Sequence, residues 1–177
     1  MRLANFEEKA TDFGSPNWVA YQTIVRTEIR RFTRIWVQTM IPPAITMTLY
    51  FIIFGSLIGT RIGEMGGFDY MAYIVPGLIM MSVITSSYTN VSSSFFGSKF
   101  GRFIEEMLVS PISNQTILLG YVTGGVARAV SVGLIVTVSS MFFTRLSVHN
   151  IFAVVSITIL TSVLFSLLGF INGVYAK

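Results

Sequence analysis

Ile35 to Gly59 carries no charged residue, and that single run excludes most soluble architectures. A helix needs about 20 apolar residues to cross the hydrocarbon core of a bilayer. Three further long apolar runs follow, at 70–96, 120–143 and 151–173. Only 11% of the chain is charged and 53% is apolar, with a mean hydropathy of +0.71; soluble domains carry about 25% charge. In lipid every backbone N–H and C=O must find its partner inside the protein, which favours helices. The expected fold is therefore an all-α membrane protein: a polytopic helical bundle with four transmembrane helices, preceded by an amphipathic interfacial helix.

That first helix starts at Ser15-Pro16, an N-cap serine followed by proline at the first helical position. Across 17–34 the apolar residues Trp18, Tyr21, Val25, Ile29 and Phe32 recur at three and four. Arg26, Arg30, Arg31 and Arg34 fill much of the remaining surface. A basic amphipathic helix with aromatics on its apolar face lies in a membrane interface. A nucleic-acid reading of the same charges loses, because the helix runs straight into a hydrophobic span. Residues 1–14 are polar, and no apolar core follows within a signal peptide's reach, so no cleavable signal is expected.

The spans differ in character. Pro42-Pro43 sits in the first third of the first and should kink it or free carbonyls. The second has a polar stripe, Ser82, Ser86, Thr89, Asn90 and Ser93, at helical spacing. Such a stripe must face other helices or an aqueous path; packing is favoured here over a substrate groove. Arg128 lies within the third apolar run, where burial at the bilayer centre costs roughly 2.5–3.5 kcal/mol. Snorkelling to the cytoplasmic face is the expected escape. The fourth span has small residues, Ser162, Ser166, Gly169 and Gly173, on one face, suited to close packing. Gly55-Gly59 and Gly120-Gly124 match GxxxG, a weak signal in a chain with 15 glycines.

Between the second and third spans lies a charged loop, 97–116. Phe100, Phe103, Ile104, Met107 and Leu108 have the spacing of one helix face, with Lys99, Arg102, Glu105 and Glu106 opposite. Pro111 stops the helix near Val109. The plain reading is an interfacial loop helix over Lys99 to Val109; the sharper one is a helix that docks a soluble partner on one side and the membrane domain on the other. An amino terminus inside the cell puts ten of the 12 Lys and Arg on one side, leaving only Arg61 and Arg145 outside. That asymmetry follows the positive-inside rule. No phosphate loop is present; Gly97-Ser98-Lys99 lacks its glycine and Gly-Lys pair. The lone His149 has no histidine partner for a metal. With no cysteine, thiolate sites are absent, and no catalytic residue, metal or cofactor is expected.

These features together resemble an ABC-2 type permease. The resemblance is carried by IEEMLVSPIS (Ile104–Ser113), LLGYVTGGVAR (Leu118–Arg128), RIWVQTMIPPAITMTLYFIIFG (Arg34–Gly55) and IVPGLIMMSVIT (Ile74–Thr85). It implies a membrane subunit of an ATP-driven exporter in a bacterial inner membrane, forming a homodimer and binding two copies of a separate ATPase. It further implies that Lys99 to Val109 is the helix seated in the ATPase, with Lys99, Arg102, Phe103, Glu105, Glu106, Leu108 and Pro111 as its residues. The basic helix bearing Trp18, Arg26, Arg30, Arg31 and Arg34 would contact the ATPase as well. The family has six spans, so two are expected beyond the four here. A non-transporting membrane anchor, or an inactive fragment, is the alternative; a neighbouring gene for a phosphate-loop ATPase distinguishes the anchor from the permease.

Overall fold

The computed structural model describes residues 15–59, 61, 63–65, 67–144 and 150–176. Arg145, His149, Lys177 and the polar amino-terminal stretch lie outside the described residues. Helix α1 covers Ser15–Arg34 and α2 Trp36–Ile52, continued by a π-helical turn over Ile53–Gly59. A two-rung antiparallel ladder, β1 (Glu64–Met65) and β2 (Phe68–Asp69), turns the chain back. Then come α3 (Tyr70–Phe100), α4 (Phe103–Val109), α5 (Asn114–Ser140) and α6 (Ile151–Tyr175). Four of these segments, beginning at Trp36, Tyr70, Asn114 and Ile151, are long and apolar enough to cross a membrane.

Helix starts follow local chemistry. Asp69 caps α3 by accepting from the Met71 N–H, and Asn150 caps α6 by accepting from Phe152 and Ala153. Each side chain satisfies donors that a first turn leaves free. Pro42 and Pro43 lie inside α2, which continues through both. At 1.5 Å per residue α3 is about 46 Å long, well beyond the roughly 30 Å of hydrocarbon.

Helix α3 is the centre of the bundle, flanked by α5 and α6. The buried residues of α6 are Ser162, Ser166, Gly169 and Gly173, the small face read from the sequence. A β-carbon on Gly169 would stand 2.5 Å from the Tyr88 carbonyl oxygen, so backbones touch there. Gly120 and Gly124 are used in the same way, against α1. Added β-carbons would sit 2.6 Å from Ile24 Cγ2 and 2.6 Å from Glu28 Cβ. Asn17 accepts from the Ser113 N–H at a separation of 96 residues, and Ile24–Gly120 and Glu28–Gly124 keep that offset. A constant offset means that α1 runs parallel to the first half of α5. The amphipathic helix is thus packed along the first half of α5.

Two apolar clusters hold the bundle. Met47, Phe51, Met71, Val75, Val132 and Val136 join α2, α3 and α5 at one end. Val91, Phe95, Ile117 and Tyr121 join α3 and α5 at the other, with Ile104 and Met107 of α4 laid against them. Phe95, Tyr121 and Phe170 form an aromatic trio with centroids 4.4 to 6.2 Å apart. The chain order along α3 and α5 places Asn90 and Arg128 between the clusters.

Candidate functional site

The loop joining α3 to α5 is built around one strained residue. Gly101 ends α3, and Arg102 then takes a left-handed conformation, φ 60° and ψ 8°. A left-handed turn breaks the helix, so the segment expected over Lys99 to Val109 is two pieces. Lys99 belongs to the end of α3, and its Nζ donates to the carbonyls of Val174 and Ala176 at 2.8 and 2.7 Å. It therefore ties down the last turn of α6, where a cation also meets the negative end of the helix dipole. A side chain on Gly101 would drive a β-carbon to 2.7 Å from the Phe103 ring.

Helix α4 has no buried residue. Ile104 and Met107 are half-buried against the Phe95–Tyr121 cluster. Phe103, Leu108 and Val109 are exposed, Val109 by 88%, and Glu105 and Glu106 are exposed beside them. Both glutamates lie in the first turn of α4, where the dipole favours negative charge. Phe100, expected on the same face, is 86% exposed and separated from it by the break. Ser110 is extended with ψ 148° ahead of Pro111, which ends the helix at Val109. A seven-residue helix is not stable alone; two half-buried side chains and two flanking long helices hold this one out from the bundle.

Helix α1 has two working faces. Trp18, Arg26, Ile29, Arg30 and Arg34 point outward, with Trp18 stacked on Tyr21. The inner face is polar: Asn17, Glu28 and Arg31, with Ile24 and Phe32. Glu28 is 5% exposed and pairs with Arg31 at 3.0 Å, the one ion pair among the described residues. It also accepts from Ser94 Oγ at 2.5 Å. Arg31 Nη2 donates to Asn90 Oδ1 at 2.9 Å, and Arg128 Nη1 donates to the same oxygen at 3.2 Å. Arg128, half-buried, turns onto Asn90. Asn90 of α3 gives that guanidinium a partner inside the bundle.

The polar stripe divides. Ser82, Ser86 and Asn90 are buried, while Thr89 and Ser93 face outward. Ser94 takes the place of Ser93 on the inner line, and Ser98 continues it, accepting from Tyr121 OH at 2.9 Å. A cleft of ≈ 580 Å³ lies between α1, α3, α4 and α5, reached by Glu28, Arg31, Ser98, Glu106 and Tyr121. The outward helix and the inward polar layer share this cleft. Glu28 and Ser94 were missed from the sequence. A signal existed for Glu28: it is the lone carboxylate of a helix with four arginines. Among the described residues no group of Asp, Glu and His side chains gathers to hold a metal.

Four membrane-length helices, a basic helix packed on them and a protruding short helix between two spans define a polytopic membrane domain. The ABC-2 type transporter family model matches residues 19–177, and the chain belongs to that family. It is 62% identical over 160 residues to the inner membrane transport permease YadH of Escherichia coli K12, and equally so to that of Shigella flexneri. It is also 23% identical over 160 residues to nodulation protein J of Neorhizobium galegae, covering 88% of this chain and 60% of that one. The YadH alignments cover 90% of this chain but 62% of the relatives' length. No solved structure matches the chain significantly.

Proposed function

We propose that this chain forms the membrane-spanning part of a permease in an ABC-2 type exporter, and that α4 is its docking helix for a separate ATP-hydrolysing subunit. One observation carries the reading: α4 stands clear of the bundle with Phe103, Leu108, Glu105 and Glu106 exposed, slung between two spans. A helix with only its inner edge buried is held for something other than its own stability. Arg102, Lys99 and Pro111 set its position, while Phe103, Glu105, Glu106 and Leu108 make the contact. The outward face of α1, with Arg26, Arg30 and Arg34, lies beside the same partner. The protein is read as an inner-membrane, multi-pass subunit with its amino terminus and α4 in the cytoplasm, acting as a homodimer with two ATPase copies. Push or pull on α4 passes to Ile104 and Met107, and from them to Phe95 and Tyr121 at the bases of α3 and α5.

The test is crosslinking. The chain has no cysteine, so Glu105→Cys and Glu106→Cys give unique thiols. Each should crosslink to a co-expressed ABC-type ATPase subunit, while Thr85→Cys, within the span, should not. Thiols at 105 and 106 that react only with reagents applied from outside the cell would sink the proposal.

A further inference from the structure

The polar layer between the two apolar clusters holds two guanidinium groups, Arg31 and Arg128, against one carboxylate, Glu28. Both oxygens of Glu28 are engaged, one by Arg31 and the other by Ser94. Asn90 Oδ1 is engaged twice, by both arginines. What remains is two buried donors, Asn90 Nδ2 and Arg128 Nε, with no acceptor among the described residues. Asn90 is 0% exposed, and its two accepted bonds fix which end of the amide carries the free N–H groups. Buried donors are seldom left unmatched, and the cost is greatest for charged groups.

The hydroxyls of Thr116 and Ser166 are also buried without a partner among the described residues, but the two unmatched atoms on Asn90 and Arg128 are of one kind. Both are donors, they belong to residues already hydrogen-bonded to each other, and the layer carries one positive charge in excess. A cation or a further donor would worsen the site, and water would satisfy a donor without matching the charge. An oxyanion does both.

Depth narrows the source. Arg31 stands shortly before Trp36, where the first membrane-length helix begins, and Asn90 and Arg128 lie within the second and third membrane-length helices, so the layer runs from the α4 side of the first span into the other two. The cleft described above is lined by Arg31, Glu28 and Glu106; Asn90 and Arg128 do not line it, and Asn90 lies one hydrogen bond further in, behind Arg31. We infer that Asn90 Nδ2 and Arg128 Nε bind the oxyanion of an acidic headgroup in the leaflet nearest α4, with Arg31 adding charge beside it. A phospholipid phosphate and the phosphate or carboxylate of an amphiphilic substrate share this chemistry. The inference stands on the layer alone and holds whether or not α4 docks an ATPase.

Native mass spectrometry of the full chain from nanodiscs of phosphatidylglycerol or phosphatidylcholine tests it. Wild type should retain phosphatidylglycerol, and retain it several-fold more than phosphatidylcholine. Asn90→Asp places a carboxylate between the arginines and should lower that retention about tenfold while keeping or raising the unfolding temperature. Arg128→Gln should lose retention too; should it fail to fold, Asn90→Asp decides alone. Millimolar inorganic phosphate that raises the unfolding temperature of wild type but not of Asn90→Asp, without a lipid preference, assigns the site to a free oxyanion. Equal lipid retention by wild type and Asn90→Asp, with no phosphate effect, overturns the inference.

Discussion

Arg102 is the residue on which the α3–α4 junction turns. A left-handed conformation costs a residue with a β-carbon roughly 1–2 kcal/mol, and glycine avoids it while losing some chain entropy. Arg102→Gly should therefore stabilise the chain by about 0.5–1 kcal/mol, given that the guanidinium is exposed. Arg102→Val should destabilise it, because β-branched residues resist positive φ. Thermal unfolding in detergent checks both; a higher midpoint for valine than for glycine would show that the turn is not held as described. The break was not legible beforehand. Glycine sits at 101, one place before the strained position, and the apolar spacing from Phe100 to Leu108 runs unbroken through it. Only a tertiary reason, the docking of Ile104 and Met107 on the Phe95 cluster, makes the chain turn there.

At the scale of elements, α1 and α5 form the least expected pairing. Gly120-Gly124 was one of several GxxxG matches in a glycine-rich chain, and nothing in the sequence singled it out. The structure does, since Ile24 and Glu28 lie where β-carbons would go. Gly124→Leu should prise α1 from α5, with an overpacking cost of about 1–3 kcal/mol, and take Arg31 off Asn90. Amide hydrogen exchange should then rise through α1 and leave α6 unchanged. Unaltered protection in α1 would mean that the pairing contributes little. The spans were legible because hydropathy is a property of the segment itself. So was the small face of α6, whose four members all pack inward. The polar layer was not, because Glu28, Asn90 and Arg128 meet only after three helices are assembled. Read singly, Asn90 and Arg128 each had a blander explanation, and Thr89 and Ser93 show how far a stripe at the right spacing can stray from the buried line.

For the whole molecule, the two ends of the bundle differ in kind. One end is packed by the Met47–Val136 cluster and closed by the short β1–β2 ladder; the other carries α4, the outer face of α1 and the polar cleft. Sidedness is thus a property of the assembled chain, and a simple labelling experiment reads it. Val109→Cys and Gly63→Cys are both exposed positions. In right-side-out vesicles a membrane-impermeant maleimide should modify Gly63→Cys at once and Val109→Cys only after permeabilisation. The reverse order would invert the whole reading, including the side from which a motor could act.

The glycine notches of α5 have one mechanical corollary. With Ile24 and Glu28 seated one turn apart, α1 works like a pawl on a toothed rack. Any slide of α1 along α5 must clear a full tooth, about 5.4 Å, before a new resting point is found. A stroke delivered to this domain would then register as a discrete click, and small thermal jostling of the motor would not leak into the membrane.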